Sequence, residues 1–109
     1  MRTITIKRNK SFIGGGARVH ICILDNVNGD IDIDGNICKE IGVLKNGEEK
    51  SFIISEEENI IYAFYNYAYK YSTYDTFKVP ANNNNYRVTG KITFSLSNNS
   101  PFRFDINKK

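Results

Sequence analysis

From Tyr86 to Leu96 apolar and polar positions alternate almost without error. Tyr86, Val88, Gly90, Ile92, Phe94 and Leu96 share one parity, and Arg87, Thr89, Lys91, Thr93 and Ser95 the other. A period of two sends successive side chains to opposite faces, so the segment predicts a β-strand with one wet face. After Ser97-Asn98-Asn99-Ser100-Pro101 the pattern resumes, with Phe102, Phe104 and Ile106 apolar around Arg103 and Asp105. A five-residue hairpin loop would set Leu96 opposite Phe102, Phe94 opposite Phe104 and Ile92 opposite Ile106. The two apolar faces then coincide, which is the condition that fixes register.

The same pattern recurs upstream. Thr3–Lys7 carries Ile4 and Ile6 on one face, and Ala17–Leu24 sets Ala17, Val19, Ile21 and Ile23 against Arg18, His20 and Cys22. Ile41–Lys45 and Glu48–Ile54 flank Asn46-Gly47, a pair suited to a type I′ turn. The hairpin so predicted pairs Lys45 with Glu48, Val43 with Lys50 and Ile41 with Phe52. Ile60–Tyr65 is apolar on both parities, as a strand covered on two sides or one at an interface would be. Thr76–Val79 is a further strand, ended by Pro80.

Seven or eight short strands at roughly 10-residue spacing, without a useful helical period, predict an all-β protein. The expected architecture is an immunoglobulin-like antiparallel β-sandwich, with an open barrel second. The 109 residues fit a single domain, 1–109, large enough to build a core without metals or disulfides. Ile, Asn, Lys and Tyr make up 46 of the 109 residues. An AT-rich genome gives such a bias, so abundance of Tyr or Asn alone argues little.

The net charge of +3 is modest. Arg2, Lys7, Arg8 and Lys10 collect near one end of the chain and Lys108 and Lys109 at the other. A solvated surface explains them, and nucleic-acid binding is not expected. No run of 18 apolar residues offers a membrane span. No signal peptide is visible, which favours a cytoplasmic protein and leaves an extracytoplasmic one open. Cys22 and Cys38 form no metal spacing, and reduced thiols are expected.

Several strings resemble small bacterial β-sandwich domains of the PEGA-like kind. They are Ile4–Arg8, Ser11–Gly14, Val19–Ile23 and Glu40–Glu48, with Ser51-Phe52 following, and they cover about half the chain. Gly42-Val43-Leu44-Lys45-Asn46-Gly47 is similar to the Gly-x-Leu-x-x-Gly hairpin of those domains. Val27–Cys38 stands where they have a tight turn, and Glu57-Glu58-Asn59-Ile60 replaces a Pro-Gly-x-His turn. The resemblance implies an immunoglobulin-like accessory domain and carries no catalytic residue.

Two stretches could hold chemistry. Asp30, Asp32, Asp34 and Asn36, with Gly35 among them, match the first half of a calcium loop. Position 12 of such a loop is Ile41, not an acid. The competing reading is a strand with its aspartates in water, Ile31 and Ile33 inward, and Asp34-Gly35 in a turn. The strand is preferred, because isoleucine at alternate positions is what a strand needs. The second stretch places Tyr65, Tyr67, Tyr69 and Tyr71 on one parity. They could pack the sheet, stack on a sugar or base, or form an edge that pairs with a partner.

His20 is the only histidine. No acid–base or nucleophile constellation appears by spacing, so the chain is not expected to be an enzyme and no cofactor is expected. The expectation is a non-enzymatic module that docks a protein partner, or a second copy, through edge strands or the tyrosines. The alternative is a ligand-binding domain, for calcium at Asp30–Asn36 or a glycan at Tyr62–Tyr74.

Overall fold

Ile4 and Ile6 alternate with Thr3, Thr5 and Lys7 in the first strand, β1 (Arg2–Arg8), and both isoleucines are fully buried. The computed structural model describes residues 1–10, 18–64, 74–92 and 102–105, with backbone alone for 92, 102, 103 and 105. Its further strands are β2 (Val19–Leu24), β3 (Ile31–Ile33), β4 (Asn36–Leu44), β5 (Glu49–Ile54), β6 (Asn59–Phe64), β7 (Asp75–Val79), β8 (Tyr86–Ile92) and β9 (Phe102–Asp105). They form two sheets. One has the order β5-β1-β8-β9 and the other β3-β4-β2-β6-β7. The described residues hold no helix, so the β-sandwich expectation stands. The strand added to those expected is β3, where the strand reading of Asp30–Asp34 is realised. One pairing departs from the antiparallel expectation: β1 and β8 run parallel.

The inner core lies between the sheets. Ile4, Ile6, Ile54, Val88 and Phe104 meet Val19, Ile21, Leu44, Ile61, Ala63 and Val79. β6 is buried on both faces, as its two apolar parities require.

Arg2 and Arg8 share β1's inward face with the two isoleucines, and both are buried. This corrects their assignment to a solvated basic surface. Arg2 lies at one end of the sandwich. Its Nε donates to Ser55 O at 2.8 Å, Nη2 to Glu57 O at 2.8 Å and Nη1 to Asn82 Oδ1 at 2.9 Å. The guanidinium also sits 5.6 Å above the Tyr86 ring. Arg8 lies at the other end, where Nη1 donates to Leu44 O at 2.9 Å. Each arginine satisfies backbone carbonyls where the chain crosses between sheets, and a guanidinium's several donors suit that task.

Two Xaa-Gly turns behave differently. Asp34 and Gly35 have φ of 56° and 90°, the two positive values of a type I′ turn, and join β3 to β4 as a hairpin. At Asn46-Gly47 only Gly47 has positive φ, at 81°. Glu48 N donates to Lys45 O at 2.9 Å, closing an unprimed turn. Unprimed turns splay the strands they join. The predicted β4–β5 hairpin therefore does not form: β4 stays with β2, and β5 crosses to β1. The Glu48 carboxylate accepts from Lys45 N at 2.8 Å instead of pairing across strands. Phe52 still reaches back, and its ring lies where a side chain at Gly42 would stand.

A bulge also reassigns faces. β2 pairs Ile21 with Gly42 and then Cys22 with Glu40, so Ile41 is the extra residue. Ile41 packs on the inner core, whereas Val43 pairs with His20.

The β8–β9 hairpin forms in a different register from the one predicted. Ile92 faces Phe102 and Gly90 faces Phe104. The slip is four residues, an even number, so the inward face is kept. Phe104 then sits across from a glycine, with its ring 6.0 Å from Phe77 of the other sheet. Phe94, Leu96 and Ile106 lie outside the described residues.

Candidate functional site

The outer face of the β2 sheet carries a second apolar cluster. Cys22, Ile33, Cys38, Tyr62 and Phe64 are buried there, with Leu24, Ile31, Ile60 and Tyr74 packed around them. Strand pairing explains the grouping. Cys22 lies opposite Tyr62 and His20 opposite Phe64, all on the face turned away from the inner core. The predicted polar parity of β2, Arg18, His20 and Cys22, is thus dry at Cys22.

Polar groups edge this cluster. His20 Nδ1 is 3.1 Å from Glu40 Oε1, and the imidazole stacks on Phe64 with centroids 5.4 Å apart. Tyr74 OH donates to Asp34 Oδ2 at 3.1 Å, and its ring is 5.4 Å from that of Tyr62. Burial pushes the Cys22 thiol up to about 12, helped by the nearby Glu40 carboxylate. Burial likewise pushes the Cys38 thiol up to about 11. Both cysteines are free. Cys22, His20 and Glu40 therefore adjoin on one face, but a fully buried thiol held protonated is the reverse of an activated nucleophile.

The Asp30–Asn36 stretch builds the β3–β4 hairpin. Asp32 Oδ1 accepts from Gly35 N at 2.8 Å and so braces the turn. Asp34 is engaged by Tyr74, and Asn36 Nδ2 donates to Ile33 O at 3.2 Å. Among the described residues no three His, Cys, Asp or Glu side chains gather as a metal-binding group. Tyr65, Tyr67, Tyr69 and Tyr71 lie outside the described residues.

The sheet edges differ in how they are closed. β3 has three residues. β9 lies against β7, and its Phe104 N–H donates to Asp75 Oδ2 of β7 at 2.7 Å. β5 is a six-residue edge with no such cover among the described residues. Its outward backbone groups follow from its register on β1. Arg8 N donates to Glu48 O at 2.9 Å, so in this antiparallel pair the even residues of β5 bond toward β1. Glu49, Ser51 and Ile53 then turn their N–H and C=O groups outward. Ile53 is 71% exposed.

Neither charge on β5 stands over that edge. Arg87 reaches across β1 to grip Glu49 with two bonds of 2.9 and 3.0 Å. Lys50 Nζ turns to Val43 O at 2.9 Å. Sequence reasoning named edge strands in general but missed β5, because it assigned that strand a partner in β4.

Comparison of the chain with family models, with curated proteins and with solved structures finds no match to any of them. Nothing thus identifies the PEGA-like family, and the described residues contain no helix long and apolar enough to cross a membrane.

Proposed function

We propose that this β-sandwich is a non-enzymatic interaction module that docks an extended partner strand along β5. The observation that carries the reading is the state of that edge. Six residues long, it presents the backbone groups of Glu49, Ser51 and Ile53, and its two charges bend away. Natural sheets guard an edge with charge, brevity or cover, and an unguarded edge is a template for strand addition. Backbone bonds would supply affinity, and the exposed Ile53 would select an apolar neighbour.

The test uses the wild type and Ser51→Pro, which removes one outward N–H and leaves the backbone bonds to β1 intact. Both are probed against an array of overlapping extended peptides, including this chain's own sequence. The same pair is assayed for self-association by light scattering. Capture or association by the wild type that Ser51→Pro loses supports the reading. A wild type that captures nothing and stays monomeric at millimolar concentration overturns it.

A further inference from the structure

The β5 edge is self-complementary, and we propose that its occupant is a second copy of this chain, paired β5 to β5 in antiparallel fashion about a two-fold axis through Ser51. The proposal rests on the edge-docking reading above and specifies its partner. A two-fold perpendicular to the sheet keeps each residue's face, so paired residues share parity. It must also bring outward backbone groups together. In β5 those belong to Glu49, Ser51 and Ile53, which leaves few registers. Centred on Ser51, all three residues of each copy find partners: Ser51 with Ser51, and Glu49 with Ile53 in both directions. Centred on Phe52, Glu49 would reach past the strand to Ser55, whose carbonyl already serves Arg2.

The side chains fit the same register. On the outer face Ile53 of one copy meets the methylenes of Glu49 of the other, whose carboxylate Arg87 draws back over β1. On the inner face Lys50 stands opposite Phe52, so its stem meets an apolar neighbour while its ammonium stays on Val43 O. No like charges oppose each other. A pairing centred on Lys50 would instead set lysine against lysine, which destabilises. The result is an isologous contact that joins two four-stranded sheets into one of eight, and it removes the open edge from both copies.

The register makes a covalent test available. A hydrogen-bonded antiparallel pair has Cα atoms about 5.5 Å apart, inside the range a disulfide spans. Ser51→Cys should therefore give a disulfide-linked dimer under mild oxidation, while Thr89→Cys on the same outer face should not. The native cysteines are fully buried and do not compete. Light scattering should show twice the 12.5 kDa chain mass for the wild type at high concentration, and the monomer on dilution. Ile53→Glu sets two carboxylates opposite each other and should give monomer. Ile53→Lys meets Glu49 and should keep the dimer. Loss of apolar contact alone would treat those two variants alike. Because Ile53 is exposed, neither should disturb the fold, which circular dichroism checks. A wild type that stays monomeric yet captures extended peptides overturns the second copy as occupant and leaves the edge reading standing. A dimer that Ser51→Cys does not link, and that Ile53→Glu does not split, overturns the β5 pairing itself.

Discussion

The two sheets of this sandwich present opposite outer faces. Over the β1 sheet, Thr5 shares a 2.7 Å hydrogen bond with Ser51, and Arg87 grips Glu49, all in water. Over the β2 sheet lie Cys22, Ile33, Cys38, Tyr62 and Phe64, all buried. Alternation in β8 marks a strand with one dry side, while β6, apolar at both parities, is dry on both. The five-stranded sheet therefore buries apolar side chains on both faces, and its stability rests on residues that a one-faced pattern assigns to solvent.

Substitutions can separate the two faces. Phe64→Ala should cost about 3–5 kcal/mol, since Phe64 is fully buried and its loss leaves a cavity. Urea unfolding measures it, and a cost under 1 kcal/mol would mean that the outer cluster does not hold the fold. Cys22→Ser should cost about 1–3 kcal/mol, because it buries a hydroxyl where a thiol packed. Tyr74→Phe should cost about 1 kcal/mol by removing the bond to Asp34, with the ring contact to Tyr62 kept. On the wet face, Arg87→Ala should leave the melting temperature unchanged, because the ion pair with Glu49 is exposed and screened.

Titration gives a second route to the same contrast. The Cys22 thiol rises from 9.0 to about 12 on folding, so the folded state holds its proton more tightly than the unfolded chain. Its contribution is complete below about pH 9 and is lost as the pH climbs from 9 toward 12. Stability of the wild type should fall across that window more steeply than that of Cys22→Ala. Equal slopes, measured by urea melts at several alkaline pH values, would place the thiol in water. A thiol reagent at pH 8 should likewise leave the native protein unlabelled.

Fold class was legible because alternation and turn chemistry are local. Pairing was less so. Asp34-Gly35 and Asn46-Gly47 look alike as dipeptides, yet one has two positive φ values and the other has one. Whether two strands continue as a hairpin or part into different sheets was decided by what else they could cover, here Phe52 on Gly42 and β5 on β1. The slip of β9 was invisible for a related reason: every even shift satisfies the same alternation. Arg2 and Arg8 lay on the isoleucine parity of β1 all along. That parity was the signal for their burial, and it was outweighed by the habit of placing arginine in water. For the candidate surface, the outward parity of Ile53 was visible, but that β5 is an edge was not. Asp30, Asp32, Asp34 and Asn36 were recognisable as strand and turn from the isoleucines between them.

β1 is the middle of its sheet's assembly, joined to β5 on one side and, in parallel, to β8 on the other. Its Ile4 partners Phe52 and Tyr86, positions far along the chain. During synthesis β1 must therefore wait for β5 to cover one edge and, longer still, for β8 to cover the other. Loop closure over such separations slows folding. The interval in which β1 stands unpaired is the period when this chain is most exposed to aggregation, and when a chaperone that shields extended segments would matter most.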